Sequence, residues 1–304
     1  MKSHHVYSIS FFFVLVFIFS GRNGSGSNDE NKNKTLFSAS CANKKHSAGT
    51  NAYSSKVALR WMDIQLELIR TSSPFIGGLP PSRPFAYAGI ALYEAVVPGM
   101  PGYRSLSGQL TDMPVMPKTV PGHAYHWATC ANAALAAINR NFFPNASDAN
   151  KAAIDALEKE LNAAYRSEAD NATFQRSVDF GIAVAQLIFD WSKTDGYTAN
   201  INKPYTPPAG PGLWAPTPPG FGHAFGPYWG DHRLFVAGSL DATAPPAPPR
   251  YSTDPSSDYY KMVKEVYDIS QTLTPDQIAL ALFYRDNPGF GDGHYISILN
   301  SYWN

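Results

Sequence analysis

The residues whose types could do chemistry are few, and they are scattered. His123 and His126 lie three apart near the start of a predicted helix, a spacing at which two imidazoles can share one ligand. No third ligand lies beside them and no His-Glu-x-x-His occurs, so hydrogen-bonded or surface histidines are the better reading. Asp231-His232-Arg233 is a polar knot inside an aromatic stretch, and capping of a short helix by Asp231 accounts for it. Asp286, Asn287, Asp292 and His294 form an oxygen-rich run that lacks the alternation and closing glutamate of a calcium loop. Arg60, Arg70, Arg83, Arg233 and Arg285 would make an anion site only if they converged, because guanidinium forks hold oxyanions in pairs of hydrogen bonds. Scattered arginines are more often surface or helix-end residues. No serine sits in a nucleophile elbow, and neither cysteine has an activating histidine beside it.

The elements that must position these residues read as helices. Tyr53–Arg70 carries Val57, Trp61, Ile64 and Leu68 on one face and Leu59, Met62, Leu66 and Ile69 on a second, so it packs between neighbours. Phe85–Val97 continues the helical spacing, with alanines and Gly89 allowing close approach. His123–Phe143 is an alanine-rich helix. After a Ser147 cap, Ile154, Leu157 and Leu161 make a narrow stripe under a charged face, the mark of a peripheral helix. Ala172–Lys193 follows and stops at Asp195-Gly196. Tyr259–Ile269 reads as a helix capped by Asp254, with Met262, Val266 and Ile269 inward. From Thr274 a further helix opens with a capping box closed by Gln277, Leu273 being placed to staple onto Ile278.

Between these helices, residues 197–254 differ. Twelve prolines fall between Pro204 and Pro249, interleaved with Trp214, Phe221, Phe225, Tyr228, Trp229 and Phe235. A disordered proline-rich tract would be poor in aromatics, so an ordered excursion wrapping the helical body is expected, with Ala244–Pro249 extended and exposed. No strand pattern, repeat, heptad run or nucleotide-binding glycine loop occurs. The predicted fold is therefore mostly α: an irregular multi-helix bundle with one long ordered proline- and aromatic-rich loop region.

Composition narrows the address and the partners. Lys+Arg and Asp+Glu both number 24, so there is no basic field to recruit nucleic acid or anionic lipid. Residues 1–20 read as a signal peptide: Lys2, then the apolar run Ile9–Phe19, then Ser20-Gly21 for cleavage. That run is short for a bilayer span, so the mature chain is expected to have none and to be exported, to a periplasm or beyond the cell. Residues 21–50 read as a flexible linker and 51–304 as the helical domain. Cys41 and Cys130 either pair in the exported chain or remain separate thiols. Cys41 as a lipid-attachment site is disfavoured by Lys32 and Lys34 between it and the apolar run.

Taken in order, Ser72–Val97, Ser177–Gly196, Gly212–Phe221, Gly226–Phe235 and Ile278–Ile298 resemble the N-terminal helical part of bacterial vanadium-dependent haloperoxidases, secreted relatives of type 2 phosphatidic acid phosphatases. The resemblance runs from about Tyr53 to the last residue. It implies a peroxide-dependent halide oxidation, with vanadate held by one histidine in a cationic pocket, or a phosphatase using the same pocket on phosphate. The family's vanadate motifs follow the segment that Tyr284–Ile298 resembles. They have no counterpart here: there is no lysine placed before an Arg-Pro, no Pro-Ser-Gly-His, and no Ser-Arg before a ligating histidine. Pro121-Gly122-His123 lacks the serine, and Arg83-Pro84 lacks the lysine. No catalytic, cofactor-binding or metal-ligating residue is assigned. Vanadate is expected for a full-length family member and not for this chain alone, which is expected to be inactive by itself. Asn304 reads as a cut within a helix, so a missing C-terminal half or a second copy is expected as partner, and 1–304 is expected to associate. A non-catalytic envelope protein, binding a glycan or partner through Trp214–Phe235, is the alternative from another class.

Overall fold

The computed structural model describes residues 47–71, 82–218 and 220–284. These comprise nine α-helices and no strand: α1 Lys56–Thr71, α2 Ser82–Val96, α3 Trp127–Phe142, α4 Asp148–Tyr165, α5 Asn171–Ser192, α6 Tyr197–Asn200, α7 Ser239–Ala242, α8 Asp258–Ser270 and α9 Pro275–Tyr284. The expected mostly α architecture is what the chain forms.

The bundle is built around α3, which packs against α1, α2, α4 and α5. Its sequence explains the position. A helix that is apolar all round must be enclosed, and α3 offers alanine on most faces, buried from Trp127 through Ala136 without a break. Alanine also sets how near the neighbours come. A Cβ at Gly181 of α5 would stand 2.3 Å from the Cys130 carbonyl oxygen and 3.0 Å from the Ala133 Cβ. The obstacle is helix backbone, which cannot swing aside. Gly181→Ala is therefore expected to destabilise the protein by about 1–3 kcal/mol, despite alanine's better helix propensity; a lower urea midpoint with an unchanged slope checks it.

α1 lies between α3 and α4, as its two apolar stripes require. Val57, Trp61, Leu66 and Leu68 are buried. The indole Nε1 of Trp61 donates to Asn132 Oδ1 at 2.8 Å in the middle of the bundle. α4 contributes the narrow stripe Ile154, Leu157 and Leu161 and is capped by Ser147 as expected. Before α1, residues 47–53 are tied to the body. Ser47 Oγ accepts from Tyr125 N, Ala48 O from Trp127 Nε1, and Thr50 Oγ1 donates to Val96 O at 3.0 Å.

Two expectations need correction. Met262, Val266 and Ile269 do not point inward: they are 55%, 69% and 53% exposed, and every residue from 261 to 284 is exposed. Periodicity reports which face of a helix would be buried, not whether anything covers it, and no described residue covers α8 or α9. Nor does Asp254 cap α8. It accepts from Ser256 in a turn, and Ser257 caps the helix by accepting from Tyr260 N. The capping box of α9 does form, Thr274 N to Gln277 Oε1 at 2.9 Å and Gln277 N to Thr274 Oγ1 at 3.3 Å.

The proline-rich excursion is defined backbone with turns and short helical pieces, but it does not bury its aromatics in the bundle. Trp214, Phe221, Phe225 and Trp229 are exposed. Its fastening is local: Phe235 packs on the core, its carbonyl accepts from Thr111 N at 2.9 Å, and Arg233 enters the bundle between α2 and α5.

Candidate functional site

The densest polar constellation lies where α2 begins and α5 ends. Asp195 follows the last turn of α5 and is held there because Gly196 takes the left-handed conformation, φ 92°. The carboxylate is nearly enclosed, at 7% side-chain exposure, and is fully used. Oδ2 accepts from Arg83 Nε at 2.8 Å and from the Tyr87 hydroxyl at 3.0 Å; Oδ1 accepts from Tyr197 N at 2.9 Å. Arg83 and Tyr87 share a face of α2, four residues apart, which brings both to the same oxygen. Arg83 also donates to the Ser192 carbonyl at 2.8 Å, and its guanidinium lies 4.4 Å from the Tyr197 ring centre. Burial, with the Asp195 charge beside it, pushes the Tyr87 phenol well above its ordinary range, so it stays protonated and donates.

Arg233 arrives from the excursion. Its backbone N–H donates to Asp195 O at 2.9 Å, Nη1 to Thr194 Oγ1 at 2.6 Å, and Nη2 to Trp191 O at 2.9 Å and to Tyr87 Oη at 3.3 Å. Two of the five flagged arginines thus converge. What they converge on is the protein's own carboxylate and the carbonyls ending α5. Arg60 pairs with both carboxylate oxygens of Glu160 and Arg70 with Glu67, both on the surface and away from this cluster. Arg285, Asp286, Asn287, Asp292 and His294 lie outside the described residues. Asp231 does not cap a helix. It ends a 3-10 turn, Trp229–Asp231, whose N-cap is Tyr228, while His232 stacks edge-on to Trp229 at 4.8 Å. Sequence reading gave Asp195 only as a helix stop; its Asp-Gly pairing concealed the carboxylate's role.

The two histidines part company. His123 is exposed in a turn. His126 is 3% exposed and is itself the N-cap of α3. Its Nδ1 accepts from Thr129 N at 3.2 Å, and Nε2 faces Glu168 Oε2 at 3.2 Å. Because Nδ1 must present a lone pair, the neutral ring carries its proton on Nε2 and donates to Glu168. Tyr53 packs edge-on at 4.7 Å and Tyr165 lies at 5.2 Å.

Burial lowers the His126 pKa below its ordinary 6.5, outweighing the Glu168 carboxylate, which raises it. The unfolded chain therefore binds the proton more readily. The stabilisation from the neutral cap is complete above the unfolded value and is lost as pH falls through the folded one. Stability is expected to fall on acidification below about pH 6.5, and His126→Asn, a neutral cap, to remove that part of the dependence; denaturation midpoints of both proteins across pH 5–8 check it.

Cys130 is a free thiol on α3, fully buried, and burial pushes it up to about 12. Among the described residues it has no disulfide partner, and Cys41, the other cysteine, lies outside them. Among the described residues no group of three or more His, Cys, Asp or Glu is placed to hold a metal, and no helix is long and apolar enough to cross a membrane.

No family model matches the chain, and no curated protein does. Among solved structures, a bacterial vanadium-dependent iodoperoxidase superposes with a TM-score of 0.62 at 27% identity, over 77% of this chain and 55% of that one. The chain thus spans about half the length of the iodoperoxidase. The likeness supports a haloperoxidase-like fold for the helical body.

Proposed function

We propose that the chain is the N-terminal, supporting part of an exported vanadium haloperoxidase-like enzyme that oxidises halide with peroxide. The observation that carries the reading is the likeness to the iodoperoxidase over 77% of the chain. Three of the segments read from sequence as family-like, Ser72–Val97, Ser177–Gly196 and Gly226–Phe235, meet at the Asp195 junction. The exposed apolar faces of α8 and α9 support cover by further protein, whether the rest of a longer chain or a second copy.

Vanadate itself needs unspent cations and a histidine facing them. The described residues do not fit it: Arg83 and Arg233 are committed to Asp195, Tyr87 and helix-end carbonyls, and His126 is committed to capping α3. In this reading the oxyanion residues come from outside the described part. An acid phosphatase of the same superfamily is the second reading, because the supporting fold would serve either oxyanion.

The test is halide oxidation and phosphate-ester hydrolysis by purified 1–304 and by the product of the uninterrupted gene, each with and without vanadate and peroxide. The expected result is iodide or bromide oxidation above the vanadate–peroxide blank by the gene product, and none by 1–304. Vanadate-dependent oxidation by 1–304 alone would overturn the supporting role; hydrolysis without oxidation by the gene product would favour the phosphatase.

A further inference from the structure

The excursion has one stretch that neither the bundle nor the Asp195 junction uses. After α7 the chain runs Ala244-Pro245-Pro246-Ala247-Pro248-Pro249-Arg250. All of these residues are exposed, and none lies in a helix, strand, turn or bend. Each proline fixes φ at about −65°, and each residue that precedes a proline is driven from the helical to the extended region. The stretch is therefore a short polyproline II helix, with three residues per turn and no internal hydrogen bonds. Among the described residues, none of its backbone or side-chain groups finds a hydrogen-bond partner. Its ends are nevertheless held. Thr243 is tied back to α7, its hydroxyl donating to Ser239 O at 2.8 Å and its N–H to Leu240 O at 3.2 Å. Tyr251 lies against Gly212, where a Cβ would stand 2.5 Å from the ring, and meets Tyr259 of α8 edge-on at 5.3 Å.

We propose that Ala244–Arg250 is a docking segment for a protein domain that has an aromatic-lined polyproline groove with a carboxylate pocket at one end. The register fits such a groove. With three residues per turn, residues three apart share an edge. Ala244, Ala247 and Arg250 follow one edge, and Pro245 and Pro248 follow the next. Two Ala-Pro pairs therefore face the same way, one turn apart, as slots between successive aromatic rings require. Arg250 stands a further turn along the alanine edge, exposed and without an ion pair among the described residues. A polyproline helix looks nearly alike in either direction. A cation at one end fixes the direction in which an acidic-ended groove receives it. A plain spacer from α7 to Tyr251 would use the prolines but would not need an unpaired arginine in this register. The segment is stiff before it binds, so docking orders little that is not already ordered. This surface does not depend on the chemistry proposed above.

The experiment uses the full 304-residue chain and, as probes, two isolated SH3 domains. One selects ligands whose arginine follows the second proline; the other selects ligands whose arginine precedes the first. Binding is followed by titration calorimetry. The expected result is saturable binding of the first domain and none of the second. Arg250→Glu should weaken it by about tenfold or more, the loss of a charge-assisted contact. Pro245→Ala with Pro248→Ala should abolish it. The melting temperature should not change in these variants, because the side chains touch nothing that holds the fold. A synthetic Thr243–Tyr251 peptide is titrated beside the chain. Binding by the peptide but not by the folded chain would overturn the proposal, since the fold then hides the segment. Equal binding of both domains, or binding indifferent to Arg250→Glu, would overturn it too and leave only general adhesion of proline-rich chain. No binding by chain or peptide would mean that the register is not one a groove accepts.

Discussion

Asp195→Ala should lower the stability of the protein by about 3–5 kcal/mol, the usual consequence of stripping one partner from an enclosed ion pair. The Asp195–Arg83 pair is 7% and 13% exposed, so water cannot take over the lost contacts. Three donors lose their acceptor together: Arg83 Nε, the Tyr87 hydroxyl and Tyr197 N. The measurement is the urea midpoint, with Asp155→Ala as the comparison. Asp155 also pairs with an arginine, Arg140 at 2.7 Å, but at 68% exposure, and its loss should cost less than about 1 kcal/mol. Adding Arg83→Met to Asp195→Ala should recover part of the loss, because the enclosed cation is then gone as well. Equal effects of Asp195→Ala and Asp155→Ala would mean that the junction is as wet as the surface.

The second large effect is expected at Trp61. Trp61→Ala removes the largest fully buried side chain where α1 meets α3 and should cost about 3–5 kcal/mol. Trp61→Phe separates packing from hydrogen bonding. It keeps most of the ring but leaves Asn132 Oδ1 without its donor in a dry interior, at about 1–3 kcal/mol. Asn132 Nδ2 retains Glu158 O and Asn162 Oδ1, so the amide stays oriented and the loss is confined to one acceptor. Paired urea titrations of the two variants measure the difference.

Much of the helical body was legible because its signals are local. Ser147, the Thr274–Gln277 box and Gly196 mark ends through neighbours within a few residues. The double stripe of α1 and the single stripe of α4 correctly told an enclosed helix from a peripheral one. The start of α3 was misread at His123 because histidine is an unusual N-cap and the preference ranking favours Ser, Thr, Asp and Asn. The junction was not legible. Arg83 and Asp195 are 112 residues apart, and nothing near either one names the other. The arginines were rightly flagged as a set that would matter only on convergence, but an internal carboxylate as their target leaves no periodic trace. The exposed face of α8 failed for a third reason: amphipathicity is a property of one helix, whereas burial needs two partners.

The fastening of the excursion at its two ends has a consequence in chain entropy. Between Asp195 and Arg233 the backbone leaves the bundle and returns to the same place, its two ends joined by the Arg233 N to Asp195 O hydrogen bond at 2.9 Å. The entropy of closing such a loop depends only logarithmically on its length, so even doubling it costs about 0.6 kcal/mol. The excursion can therefore lengthen, shorten or change sequence almost freely between its ends, while Asp195, Gly196, Arg233 and Phe235 cannot. Variation in this protein should collect in the long aromatic stretch that looks most like a feature, and constancy in the four residues that close it.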